Sequence, residues 1–459
     1  MTRKLLPLLF LLSLPLVTTR IYASDEVQFF AWLRSWAFDR DVDFDNEYRY
    51  FQQGDAGRYP GFTATLVEGV NENGRRINFA PIGCAVLWAP FYAAGHAVAI
   101  VTGAPRDGYS QPYVAAVAYA SACYGLLAVL LSADIARRVV GRGTSAALVV
   151  LVGTPLLYYV YISPPFSHAT SAFAVSLFVW VWLRVRRTWS TAGLAGLAAL
   201  AALMTMVREQ DAFVLAGPAL DFGRAVWRTT ASAAPARRGR ILMGGLVMAA
   251  IGALAWLAAY LPQFLAYQAL NGHPGQTTLV TRKLSWTSPH ALGVLFSPEH
   301  GLFAWTPLAL AGIAGLAWLA VRRPAVSPRD ARWIAVCALV MVAGQVYISG
   351  AVESWTVAGA FGQRRFVALT PLLTLGLATA LAAVRPWQLA RASLAAVVVL
   401  AVWWNIGLMA QFGLHRMDRQ RLTLAENARQ TFQVLPAELP GLVYRYLTDR
   451  ESFYRLPRQ

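Results

Sequence analysis

Lysine is almost missing from this chain. Of 40 basic residues, only Lys4 and Lys283 are lysines, and arginine supplies the rest. Charge of either sign is scarce: 14% of the residues are charged, where soluble domains carry about 25%. That excludes an ordinary soluble domain. Cysteine is also sparse. Cys84, Cys123 and Cys337 lie inside apolar segments without metal-ligand spacing, which argues against a disulfide framework or a zinc site and for packing roles. No internal repeat or low-complexity segment is visible. What the chain has is apolar sequence: 57% of its 459 residues are hydrophobic, in repeated runs of about 20, the length that crosses a bilayer as a helix. The expected fold class is an all-α polytopic membrane protein with about 11 transmembrane helices.

The formal net charge of +17 would suggest nucleic acid in a soluble protein. Here the arginines fall in short links between apolar runs, so they read as topology signals, with a lipid bilayer and no nucleic acid as partner. The runs lie near 5–22, 80–102, 113–135, 145–162, 169–183, 191–207, 212–222, 241–264, 302–321, 332–350, 366–384 and 393–411. Run 212–222 is short enough to pack inside the protein. Arg137-Arg138, Arg186-Arg187, Arg224 to Arg240, Arg322-Arg323 and Arg385 to Arg391 mark cytoplasmic links. The intervening links at 163–168, 208–211, 265–301 and 351–365 are then outside. Arg3-Lys4 put the N-terminus inside, with 1–22 as a first span, because the bulky Ile21 disfavours signal cleavage after Ala23. These assignments agree only if 80–102 does not cross. Pro81 and Pro90 suit a bent, half-inserted helix there. A cleaved or outward-facing first segment is the competing explanation. The expected organisation is a first span (1–22), an outer-face loop (23–112), a transmembrane bundle (113–411) and a polar tail (412–459), outside by span parity. Phe29, Trp32, Leu33 and Trp36 follow a helical apolar pattern, with Gln28, Arg34 and Ser35 opposite, which predicts an interfacial amphipathic helix over 27–38.

The acid is concentrated near the start. Asp25 and Glu26 follow the first apolar run, then Asp39, Asp41, Asp43, Asp45 and Glu47. Carboxylates where a span meets water can serve as a general base for a hydroxyl. They can equally cap the helix that begins beside them. Asp41-Val42-Asp43-Phe44-Asp45 resembles the start of a calcium-binding EF-hand loop, but Asn46 and Gln52 stand where that loop needs glycine and glutamate. An EF-hand is excluded; a looser divalent-cation site or a solvated acidic loop remains. Arg208, Arg364 and Arg365 are outer-side arginines against the charge rule, and an arginine at membrane depth costs at least ~2.5 kcal/mol unless paired or watered. Arg208 either pairs with Glu209 or Asp211 or binds an anion, whereas Arg364 and Arg365 either meet an anion or snorkel at the interface. Arg282 and Lys283 offer a weaker cation of the same kind. His168 and His300 stand at span starts on that side, as structural or substrate-binding residues. Acid and arginines together suit an anionic lipid-linked donor and a neutral hydroxyl acceptor.

A span followed at once by Ser24-Asp25-Glu26, then a membrane-surface helix, resembles the membrane glycosyltransferases of the GT-C type. These include the protein O-mannosyltransferases and the aminoarabinose transferases of lipid A. Three stretches resemble a bacterial branch of that superfamily: residues 24–26 with 41–48, Ser297-Pro298-Glu299-His300-Gly301-Leu302-Phe303, and Trp355 to Gly362 with Arg364. The resemblance implies a polyprenyl-phosphate sugar donor, a hydroxyl acceptor on the extracytoplasmic face, Asp25 as catalytic acid residue, and a first outer loop with helices that do not cross. Some relatives carry an aspartate in the second outer link, where this chain has Ser167-His168. Inversion by one displacement follows, with cations holding the departing phosphate. A transporter or lipid flippase, an O-antigen-ligase-like enzyme and a non-catalytic assembly protein are the alternatives.

Overall fold

The computed structural model describes residues 2–59, 61–287, 289–322, 330–357 and 359–453. Arg323, the end of the tail and the side chains of Arg3-Lys4, all used in the topology reading, lie outside the described residues and side chains. Regular structure is entirely helical: among the described residues two isolated β-bridges occur and no strand. In chain order the helices are α1 (Thr2–Ser13), α2 (Ser24–Arg34), α3 (Asp45–Gln52), α4 (Gly83–Thr102), α5 (Gln111–Val140), α6 (Thr144–Gly153), α7 (Leu156–Tyr161), α8 (Ser167–Val185), α9 (Thr191–Val207), α10 (Ala216–Ala231), α11 (Pro235–Asn271), α12 (Thr278–Thr281), α13 (Ala291–Phe296), α14 (Leu302–Trp305), α15 (Leu308–Val321), α16 (Ala331–Ala351), α17 (Thr370–Ala383), α18 (Gln388–Gly413), α19 (Leu424–Arg429) and α20 (Leu435–Thr448).

Among the described residues, seven segments are long and apolar enough to cross a membrane: α4, α5, α8, α11, α16, Arg364–Ala383 and α18. Four shorter apolar helices cover Pro7–Leu16, Thr144–Gly153, Thr191–Val207 and Leu308–Val321. This is the make-up of a multi-pass membrane protein, with seven full-length segments rather than 11. Proline accounts for part of the difference. The run 145–162 breaks at Thr154-Pro155 into α6 and α7, and the run 302–321 breaks at Thr306-Pro307, because proline lacks the N–H that would continue the helix. Run 212–222 is a 3-10 turn, Glu209–Leu215, leading into α10. Outward faces stay apolar: Leu246 and Leu254 on α11 and Val399 on α18 are each 65% exposed, as suits a helix surrounded by lipid. Inside, α15 and α17 pack backbone to backbone. A Cβ at Gly376 would stand 1.8 Å from the Gly312 carbonyl oxygen, so only small residues permit this approach.

The bundle has two polar ends. At one, Asp221 accepts hydrogen bonds from Arg186, Trp182 Nε1 and Trp333 Nε1, fastening α8, α10 and α16 together. The other end carries the start of α8, the ends of α9 and α16, and Asp25. Helix α5 is 30 residues long, about 45 Å, longer than the roughly 30 Å hydrocarbon core. Its second half crosses beside α8: Gly125 packs by Ala169, and Ser132 Oγ lies 3.2 Å from Ser176 Oγ. Its first half overshoots the start of α8 and pairs with α4. Tyr124 donates to the Leu87 carbonyl, Trp88 to Thr170, and Gly95 packs on Pro112. Gly83, where α4 begins, is pressed on the end of α9, with Met206 and Val207 backbone atoms 2.4 Å from where a Cβ would stand. Thus α4 starts at the Asp25 end and runs antiparallel to the overshooting half of α5.

The predicted helix over 27–38 is α2 followed by a π-helical turn, Ser35–Asp39. Its two faces are not one apolar and one wet. Residues from Glu26 to Leu33 are all buried, Gln28 and Ser35 included. Phe30 packs edge-on against Phe51 of α3 and Tyr92 of α4, and Trp32 against Phe44. The tail does not extend freely: Gln411 binds the Asn427 carbonyl and Thr431, and Tyr446 donates to the Leu16 carbonyl.

In a background without the three native cysteines, single cysteines at the exposed positions Gln53 and Arg106 should be labelled by an impermeant thiol reagent from the same side of intact cells. A cysteine at Arg187, at the Asp221 end, should be protected from that side. Opposite labelling of 53 and 106 would show that α4 crosses.

Candidate active site

Asp25 stands in the first turn of α2, where a carboxylate is favoured by the unpaired N–H groups and the helix dipole. Its Oδ2 accepts a hydrogen bond of 2.7 Å from Arg364 Nη1, and its side chain is 39% exposed. Arg364 opens the 3-10 turn that leads into α17, and its guanidinium lies 5.5 Å from the Phe166 ring centre. A cavity of about 430 Å³ begins here, lined by Asp25, Gln28, Phe166, Ser167, His168, Arg208, Arg364 and Arg365 among others. Arg208 caps the end of α9. Its Nη1 donates to Ser167 Oγ at 3.2 Å and His168 Nδ1 at 2.5 Å. Burial holds the Arg208 guanidinium below the usual arginine range, and the charge of Asp211 opposes that shift. Asp211 itself is pushed up to about 6 by burial, against the pull of Arg208 and of Ser171, whose hydroxyl is 2.5 Å away. Arg365 is steered by the Ser349 carbonyl and Ser354 Oγ. Three guanidinium groups therefore border one cavity with two carboxylates, Asp25 and Glu209, an excess of positive charge that favours an anionic ligand.

Of the residues singled out in the sequence, Asp25, His168, Arg208, Arg364 and Arg365 share this cavity. Glu26, Lys283 and His300 do not line it. Glu26 turns inward. Its Oε2 accepts the backbone N–H groups of Tyr22 (2.9 Å) and Ala23 (3.1 Å), and its Oε1 the Ser163 hydroxyl (2.5 Å). Burial pushes its carboxyl up to about 7, with the Ser163 and backbone hydrogen bonds pulling the other way. It caps α2 and ties it to the link that carries His168. Lys283 is exposed beside the rim, where its carbonyl accepts from Glu353 N. His300 is buried in a left-handed conformation (φ 63°), stacked 4.5 Å from the Trp305 ring, with Nε2 2.8 Å from the Ala360 carbonyl. Burial lowers it to about 4. It anchors the segment that delivers Arg364.

The acidic run is spent on local structure. Asp41 accepts from Ser35 Oγ and Asp43 N, Asp43 from Asp45 N, and Asp45 pairs with Arg49 and Arg76. Among the described residues no group of three His, Cys, Asp or Glu side chains could hold a metal ion.

Sequence reasoning named Glu209 only as a possible partner of Arg208 and missed Gln210, Phe213, Gln276 and Trp286, which line the same cavity. Glu209 Oε1 accepts from Tyr267 at 2.6 Å and Tyr260 at 3.3 Å. Gln28 was findable: it sits three residues after Asp25, on the same helix face. Nothing local marks Gln276 or Trp286, which arrive through the long link after α11. No family model and no curated protein matches this sequence.

The raised Glu26 carboxyl makes a signed prediction. Its protonated form is the one the fold prefers, so its contribution is complete below the unfolded carboxylate value and is lost as pH rises through about 7. Glu26→Gln, neutral throughout, should gain thermal stability relative to wild type between pH 5 and pH 8, by of order 1–3 kcal/mol. Melting curves of the purified protein at the two pH values test this; a difference independent of pH would mean that Glu26 keeps an ordinary carboxyl.

Proposed function

We propose that the protein is a glycosyltransferase of the membrane GT-C type, moving a sugar from a polyprenyl-phosphate donor to a hydroxyl acceptor. The carrying observation is a part-exposed carboxylate, Asp25, on a cavity bordered by Arg208, Arg364 and Arg365 at one end of a membrane bundle, where the second carboxylate, Glu209, is taken up by Tyr260 and Tyr267. In this reading the site faces the extracytoplasmic side of a bacterial plasma membrane, and the product belongs to the cell envelope. The packing of α4 along the overshooting half of α5 supports a surface region built from 23–112. Charge gathered at the ends of the bundle fits this reading better than a transporter, whose site lies near the bilayer midplane.

The chemistry is one displacement. The acceptor oxygen attacks the anomeric carbon, its proton passes to an Asp25 carboxylate oxygen, and the bond from that carbon to the phosphate oxygen breaks. The lipid phosphate leaves as an anion and needs no general acid. Arginine forks hold the charge that develops on it. Without donor, Arg364 is taken up by Asp25. A donor phosphate shares that guanidinium and frees a carboxylate oxygen for the acceptor proton, so donor binding would prepare the base.

Asp25→Asn should lower turnover by about 10²–10⁴, measured as sugar release from radiolabelled polyprenyl-phosphate sugars. Its affinity for sugar-free lipid phosphate should be unchanged or tighter, because Arg364 loses its internal partner. Arg364→Ala should weaken that affinity by about tenfold or more, and Glu26→Gln should remain active. An active Asp25→Asn protein would remove the assignment of the base, and wild-type protein that neither binds lipid phosphate nor releases sugar would remove the proposed function.

A further inference from the structure

A second cavity lies elsewhere. A chamber of about 760 Å³, within the roughly 300–1,000 Å³ of small-molecule sites, opens between α7, α18 and α20. Its walls are aliphatic, including Leu16, Leu157, Met409, Leu439 and Leu442. One end is polar and carries the Arg20–Asp55 ion pair, Tyr59 and Arg419. The wall α20 turns Leu439, Leu442, Val443, Tyr446 and Leu447 toward the chamber, at helical spacing. Tyr444 on the same helix is 70% exposed. A large aliphatic space is an unfavourable thing to keep filled with water.

Arg419 supplies the second observation. Among the described residues it makes no ion pair. Its Nη2 donates to the Phe412 carbonyl at 3.3 Å and its guanidinium lies 4.4 Å from the Phe412 ring centre. Its Nε is buried with no hydrogen-bond partner. A guanidinium without a counter-ion lining a largely aliphatic chamber is complementary to an amphiphile with an anionic head.

We propose that this chamber binds the acyl chain of an anionic membrane lipid, with the headgroup against Arg419. The chain is not the tail of a donor seated at Arg364. The two cavities share no lining residue, and Tyr22 and Tyr158, whose hydroxyls lie 2.9 Å apart, line only the chamber. The site is independent of the proposed transfer reaction. A bound lipid would hold α20 against α18 and the Leu14–Leu16 turn.

The test uses full-length protein in detergent and cis-parinaric acid, a fluorescent C18 carboxylic acid, with its methyl ester as the uncharged probe. Wild type should bind the acid saturably. Leu442→Trp, which fills the chamber, should weaken binding by about tenfold or more. Met409→Trp, from the facing helix, should do the same and stands in if the first variant fails to fold. Leu254→Trp, on the lipid-facing surface of α11, should change nothing. Arg419→Gln should weaken the acid but not the ester. Oleoyl lysophosphatidic acid should displace the probe better than farnesyl phosphate. Unaltered binding in both chamber-filling variants, or equal loss of acid and ester in Arg419→Gln, would overturn the proposal. Displacement by farnesyl phosphate as effective as by the acyl lipid would overturn the acyl assignment.

Discussion

The contact between Asp25 and Arg364 joins residues 339 apart in sequence. It brings the first turn of α2 to the threshold of α17, and much of this end of the bundle is arranged around it. Phe166 lies beneath the Arg364 guanidinium, and the link that carries Phe166 also carries Ser163, which holds Glu26, and His168, which receives Arg208. On the other side, the His300–Ala360 hydrogen bond fixes the segment leading to Arg364. Five distant parts of the chain thus meet around one ion pair. Removing one partner of such a pair leaves the other charge partly desolvated, which costs more than the pair itself contributes.

Keeping charge out of hydrocarbon explains why these residues gather where they do. Arg208, Glu209 and Asp211 fall within one four-residue stretch after α9, and each is answered at once: Arg208 by Ser167 and His168, Glu209 by Tyr260 and Tyr267, Asp211 by Ser171. The opposite end solves the same problem with Asp221, Arg186 and two tryptophan N–H groups. Neither network adds much net stability, since desolvation offsets attraction. Each instead fixes which helices are neighbours, a selectivity that apolar packing between interchangeable Leu and Ala faces does not provide.

The helical class and the positions of the apolar runs were legible because lipid allows few alternatives to an apolar helix. The cavity-facing role of Asp25 and Arg364 was legible from the cost of charge at membrane depth. Glu26 was not separable from Asp25 by the same reasoning, since both share that depth. Consecutive residues on a helix point about 100° apart, so one reaches the cavity and the other the interior. His300 had the residue type and position of a ligand, but its left-handed backbone turns it onto Trp305. The burial of α2 was hidden for another reason. Its amphipathic pattern reports local sequence only, whereas the α3 and α4 side chains that cover it come from later in the chain. The folding back of the tail along α18 depends on Gln411, Asn427 and Thr431, polar residues with no periodic signature.

The span between Asp25 and Arg364 also sets a schedule for biogenesis. A ribosome adding about 5–20 residues per second leaves an interval of roughly 20–70 s between the two residues. During that time the acidic turn exists without its cation, and Ser163 reaches Glu26 well before Arg364 reaches Asp25. The early half of this end must therefore be held by capping alone, and the last step of its assembly waits for α16 and α17 to enter the membrane.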